Sequence, residues 1–353
     1  MTLDTHESIE IPAPRRASPV DWIVGAVVVA LLLLMPLIAT EYFVSAILTQ
    51  ALWIGIAAAS LIYLAGYGGM VSLCQVAIYG IAGFTYGNLV EADGGVDAAW
   101  NPWLALVAAL LVATLVGALF GLVSSRSEGI YFLMITLALG VIVYLFWGKV
   151  TDLSGFGGLN DIASPSVVDN PTTEPNGLYY VVVVCCVLVF LLIRYIARTP
   201  FGLTLQGIRD DPTRMRALGY NVVLHRTLAF AFASFIAAIA GILNVWWNTR
   251  IDPNSINLGQ TIDVLVIAVI GGLLRLEGAW IGAIVFVVLD NYTRGTDLIG
   301  ERFNTVIGVI FLVIVLVSPG GIMGIYAMVK DRLRRPRTPA VPPPAPATEP
   351  GGT

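Results

Sequence analysis

Apolar runs alternate with short polar interruptions along almost the whole chain. The first is Trp22 to Ala39, and others fall at about 43–65, 67–90, 102–124, 130–148, 178–197, 226–248, 261–274, 278–292 and 303–319. A helix needs about 20 apolar residues to cross a bilayer, so the pattern predicts an all-α, polytopic bundle of about ten spans. The first run exceeds the apolar core of a cleaved leader, about 7–15 residues, and reads as a retained span. Residues 1–20 read as a polar tail, 21–329 as one transmembrane domain, and 330–353 as a basic, then Pro-rich tail.

Two places interrupt the pattern. The run at 67–90 carries Gly66, Gly68, Gly69, Ser72, Gln75, Gly80 and Gly83 at or within its edges. Such a segment is too polar to face lipid all round. It should pack inside the bundle or break partway, which protein or a water-filled path must then cover. The runs at 261–274 and 278–292 are short and meet at Leu274-Arg275-Leu276-Glu277-Gly278. They read either as two tightly joined spans or as a re-entrant pair.

Composition agrees with lipid as the main solvent. The chain has 57% hydrophobic and 12% charged residues, with a mean hydropathy of +0.84. A soluble domain carries about 25% charged residues. Cys74, Cys185 and Cys186 lie in apolar stretches and read as small packing residues. With only His6 and His225, a histidine metal site is not expected, nor is any other metal or cofactor.

The charges also give an orientation. Arg194, Arg198, Arg209, Arg214, Arg216 and Arg226 flank or fill one long loop, and Lys330, Arg332, Arg334, Arg335 and Arg337 follow the last run. The opposite side collects Glu91, Asp93, Asp97, Asp152, Asp161 and Asp252. Basic residues are retained in cytoplasmic loops, so both termini are expected inside.

The basic loop at 198–225 is the most informative stretch. Asp211 suits a helix N-cap, Pro212 the first helical position and Gly219 the stop, which predicts a short helix at about 212–218. Met215 and Leu218, three apart, should share an apolar ridge, with Arg214 and Arg216 beside it. A docking element for another subunit and a helix lying at anionic headgroups fit these features equally.

The loop, from Arg198-Thr199-Pro200-Phe201-Gly202 through Ile208-Arg209-Asp210-Asp211-Pro212 to Ala217-Leu218-Gly219-Tyr220-Asn221, resembles the coupling segment of LivM-type branched-chain amino acid ABC permeases. Gly66-Tyr67-Gly68-Gly69-Met70-Val71-Ser72-Leu73-Cys74-Gln75 resembles a signature of that family. Gly129-Ile130-Tyr131-Phe132 with Thr136-Leu137-Ala138, and Val269-Ile270-Gly271-Gly272, resemble two more. Met70, Cys74 and the Leu274–Gly278 turn depart from it. The resemblance implies an ABC importer permease fold. It also implies a homologous permease partner, two cytoplasmic ATP-binding subunits, an external solute-binding protein and a bacterial inner membrane. It places ATPase coupling on Asp211, Arg214, Met215, Ala217, Leu218 and Gly219. Leu, Ile and Val are the implied cargo, with urea, amides and other amino acids as rivals.

Polar groups inside a membrane are costly and mark functional candidates. Ser72, Gln75, Asn88 and Thr136 are the candidate lining of a translocation path, with Asn244 and Asp263 as weaker ones; Asp263 also suits a cap near the outer interface. Gly117/Gly121 and Gly278/Gly282, four apart, suit close helix crossings inside the bundle. There is no GxxxxGK[ST] loop, so ATP hydrolysis belongs to another chain, and no GxSxG or HExxH motif. Gly155-Phe156-Gly157-Gly158 follows no strand and is no dinucleotide fingerprint. Nucleic acid has no place as a partner. A stand-alone channel or ion-coupled carrier would want more carboxylates within the spans, and a lipid-modifying enzyme a polar cluster at the interface.

Overall fold

The computed structural model describes residues 19–40, 42–155, 157–165, 168, 175–294, 308, 312 and 320–324. The two predicted tails lie almost wholly outside these residues, and so does nearly all of the run at 303–319. Each of the other apolar runs holds a helix. They are α1 (Pro19–Ile38), α2 (Thr49–Gly68), α3 (Gln75–Leu89), α4 (Pro102–Ser124) and α5 (Ile130–Lys149), then a single turn α6 (Thr151–Ser154) and α7 (Pro175–Arg198). The basic loop folds as α8 (Pro200–Asp210) and α9 (Pro212–Ala217). After it come α10 (Val222–Asn248), α11 (Leu258–Gly271) and α12 (Gly278–Arg294). A π-helical turn at Phe43–Leu48 runs directly into α2. Five helical stretches among the described residues are long and apolar enough to cross a membrane.

The helices alternate in direction, so the turns collect at two ends. One end carries α8, α9 and most of the described arginines; the other carries the acidic loops, with Arg250 among them. At the acidic end, isolated antiparallel bridges pair Asp93 with Asn160 and Leu159 with Ile251. These bridges tie the loops after α3, α6 and α10 together.

The core is α2, α3 and α10, and small residues make it possible. A Cβ at Gly241 of α10 would lie 2.1 Å from the Tyr79 carbonyl oxygen, and one at Gly55 of α2 2.6 Å from Trp280 Cδ1. Only glycine lets these backbones approach so closely. Helix α4 buries one narrow stripe, Ala105, Ala109, Ala113, Gly117 and Gly121, at four-residue spacing. Gly117 meets Ser234 and Ile78, and Gly121 meets Phe230. Gly278 and Gly282 meet Gly271 and the Ile267 carbonyl. Both glycine pairs therefore serve crossings within the chain. The remaining faces of α4, α5 and α7 expose Leu111, Leu115, Leu119, Ile142, Leu145 and Leu188, the surface a bilayer would cover.

One open reading is decided and one boundary is corrected. The run at 67–90 breaks partway, one of the two outcomes expected of it. Helix α2 continues to Gly68 and ends on Gly69 at φ +66°, and α3 begins only at Gln75. The intervening Gly69–Cys74 is non-helical, and α3, at 15 residues and about 22 Å, is shorter than a bilayer core of about 30 Å. Helix α11 begins at Leu258, not Thr261, with Asn257 as its cap: Asn257 Oδ1 accepts from Gln260 N at 2.9 Å. Asp263 therefore sits inside the helix and does not cap it. The turn between α11 and α12 lies at the basic end. There Leu273 abuts Gly66, and Glu277 is 3.8 Å from Arg194 at the end of α7.

Candidate functional site

The first candidate element is the α8–α9 hairpin. Thr199 caps α8 and Asp211 caps α9, its Oδ1 accepting from Arg214 N at 2.9 Å. Leu218 ends α9, Gly219 turns at φ +89°, and Tyr220 N donates to Met215 O at 3.1 Å. That is a glycine-terminated helix stop in which Leu218 is the first non-helical residue. Leu218 N still donates to Arg214 O at 3.1 Å, so Leu218 keeps its place at the end of the helix. Met215 is half-buried against α8, where a Cβ at Gly207 would lie 3.0 Å from its Sδ. Leu218 is 67% exposed, and Asp211, Arg214, Ala217 and Gly219 are exposed with it. Met215 is thus the anchor, and 217–219 is the presented surface.

Behind the hairpin, His225 stacks on Phe201 at 5.8 Å and meets Tyr220 edge-on at 5.9 Å, which pins both ends of the segment. Glu128, in the α4–α5 turn, takes Arg226 at 2.9 Å and Arg216 at 3.3 Å on one carboxylate oxygen. Arg226 is buried and Arg216 lies on α9. Sequence reasoning missed this tie. An acidic residue among basic loops was the available signal.

The second candidate element is the break before α3. Ser72, Cys74 and Gln75 are buried there. Ser72 Oγ accepts from Cys74 N at 3.4 Å, and Ser60 Oγ donates to Gln75 Oε1 at 3.4 Å. Gln75 Nε2 is buried with no partner. Thr136 joins the break to α5: its Oγ1 donates to Leu133 O at 3.0 Å and accepts from Leu73 N at 3.1 Å. A Cβ at Gly140, midway along α5, would lie 3.5 Å from the Leu73 carbonyl. The break is therefore level with the middle of the bundle.

A cleft of about 390 Å³ opens at this level. Leu73, Leu137, Gly140, Val141 and Tyr144 line one side, and Ile256, Asn257, Leu258, Gly259 and Thr261 the other. The starts of α3 and α11 both reach this region. Helix starts carry unpaired N–H groups and partial positive charge, and broken spans are aimed in this way at anionic groups in membrane carriers. An apolar wall beside such ends can receive a small molecule with an aliphatic part and a carboxylate. Asn257, Gly259 and Tyr144 were not foreseen: the first two fall between the apolar runs at 226–248 and 261–274, and Tyr144 sits within the run at 130–148 with nothing local to mark it.

The four path candidates separate. Ser72, Gln75 and Thr136 come together at the break. Asn88 lies at the acidic end, where its Nδ2 donates to Phe84 O and Leu153 O and its Oδ1 accepts from Val96 N. That bonding rivets the loops there. Asn244 is buried on α10 and accepts from Asn248 at 2.6 Å. Among the described residues no cluster of His, Cys, Asp and Glu could hold a metal.

Comparison with known proteins places the chain in a family. Residues 43–316 match the family described as branched-chain amino acid transport system / permease component. A LivM-named permease protein of Methanocaldococcus jannaschii is 26% identical over 62% of this chain and 67% of its own length. The high-affinity branched-chain amino acid transport system permease protein LivM of Salmonella typhimurium is 24% identical over 73% of this chain and 64% of its own. The fructose import permease protein FruF of Bifidobacterium longum is 24% identical over 66% of this chain and 67% of its own. The chain thus spans about two thirds of the length of the relatives it matches. No solved structure matches it significantly.

Proposed function

The chain belongs to the branched-chain amino acid transport system permease family, and on that footing we propose that it forms the translocation path of an ATP-driven importer of Leu, Ile and Val. It is a multi-pass membrane permease component, not an enzyme. It works with a homologous permease, two cytoplasmic ATPases and an external solute-binding protein, in a cell membrane with both termini inside. The observation that carries this reading is α9. A helix anchored by Met215 and stopped by Gly219 presents Ala217, Leu218 and Gly219 to solvent at the basic end. Asp211 and Arg214 flank that contact. ATP-driven movement of the ATPases shifts the hairpin, and the bundle rocks about the break at Ser72, Gln75 and Thr136.

The cleft supports an aliphatic cargo. Leu73, Leu137, Val141, Ile256 and Leu258 suit an aliphatic side chain, while Tyr144, Asn257 and Thr261 are the polar groups that a sugar's hydroxyls would have to use. The fructose permease among the relatives makes a sugar the second reading. Proteoliposomes holding the complete transporter test both. ATP-dependent uptake of labelled leucine, blocked by valine and unaffected by fructose, is the expected result. Fructose uptake without leucine uptake would replace the cargo assignment.

A further inference from the structure

Helix α8 lies between α9 and the end of α2, and one side chain bridges that gap. Arg209 is on the last turn of α8, its side chain 16% exposed. Its guanidinium donates to the Gly66 carbonyl, 143 residues away in sequence, and pairs with Asp210 at 2.8 Å. Gly66 is in the last turn of α2, where carbonyls have no helical partner and carry partial negative charge. The Arg209 stem lies over Gly69, where a Cβ would come 2.6 Å from Arg209 Cγ. Leu205, one turn earlier on the same face, is fully buried and lies over Gly68. On its other side, α8 receives Met215 of α9 at Gly207. The path of contact is thus continuous: Met215 to Gly207, Arg209 to Gly66 and Gly69, and the following five residues to Gln75.

We propose that Arg209 is the positioning residue that couples α9 to the broken segment. It holds the end of α2 to α8, so that movement of the hairpin pulls on Gly69–Cys74 directly. Arg suits the task because its planar fork can hold a carbonyl and a carboxylate at once. This rests on the ATPase-docking reading of α9, and it adds how docking reaches the path. A helix end merely capped for stability would need a donor there, but the donor would not need to belong to α8.

The test uses the assembled transporter with Val141→Cys as a reporter in the cleft. Its modification by a water-soluble maleimide is followed with and without ATP. ATPase content of the purified complex is measured alongside. With Arg209 intact, ATP is expected to change the modification rate. In Arg209→Gln the ATPase stays bound, but the ATP response falls about tenfold, the factor one charge-assisted hydrogen bond carries in an equilibrium. Arg209→Lys, which keeps one charged donor, recovers part of the response. If Arg209→Gln does not assemble, Gly69→Ala, which pushes on the same stem, should give the same loss. An undiminished ATP response in Arg209→Gln or Gly69→Ala overturns the inference alone. A transporter with Arg209 intact that never retains ATPase overturns it together with the docking reading.

Discussion

Helices α2 and α4 are similar in length and opposite in use. In the most apolar 18-residue stretch of Phe43–Gly68, 89% is buried, against 22% in that of Pro102–Ser124. Yet α4 is the more uniformly apolar of the two, while α2 carries Thr49, Ser60, Tyr63 and several glycines. In water the most apolar helix would be the innermost. In a bilayer the solvent is itself apolar, so the polar and small residues go inside, where they find partners and close contacts. Burial here is read from glycine, serine and tyrosine rather than from leucine.

That contrast can be broken by matched substitutions, each scored by thermal unfolding in lipid nanodiscs. Leu61→Ala, in the packed core, should cost about 2–4 kcal/mol, while Leu115→Ala on the exposed face of α4 should cost less than about 0.5 kcal/mol. Equal losses at the two sites would show that α4 is covered by protein. Gly117→Ala forces a methyl against Ser234, for about 1–2 kcal/mol, whereas Gly148→Ala on α5 meets nothing within 4 Å and should be neutral or slightly stabilising. Thr136→Val takes the acceptor from the half-buried Leu73 N–H and should cost about 1 kcal/mol. Thr114→Val removes only a bond to the helix's own Leu110 carbonyl and should be nearly silent. Glu128→Gln should cost about 1 kcal/mol through Arg226, and salt should reduce the loss only in part, because the carboxylate is half exposed while the arginine is buried.

What the sequence made legible was local. The α9 helix could be read almost to the residue, because Asp211, Pro212 and Gly219 act on the backbone beside them. The break could be anticipated from the glycines at 66–69, since glycine weakens a helix wherever it falls. Its edges could not, because α2 reaches Gly68 by packing against Leu205 and Leu274, which lie far along the chain. Met215 and Leu218 were paired by helical spacing, but that spacing could not tell that α8 covers Met215 and leaves Leu218 exposed. Arg209 reads as one arginine among many in a basic loop. Its role depends on a carbonyl brought close only by the fold. The start of α11 was hidden for the same reason: a polar, Asn-rich stretch signals a loop, and only tertiary contacts with Gly80 and Gly83 carry it into the bundle.

The account stands most directly on the presented surface of α9. The complete transporter, purified through this chain, should retain its ATPase subunits. Leu218→Asp and Ala217→Arg, both at exposed positions remote from the core, should release them while the permease stays folded and paired. Retention of ATPase by both variants at the level of the unaltered chain would contradict the docking role of α9 and the coupling route built on it.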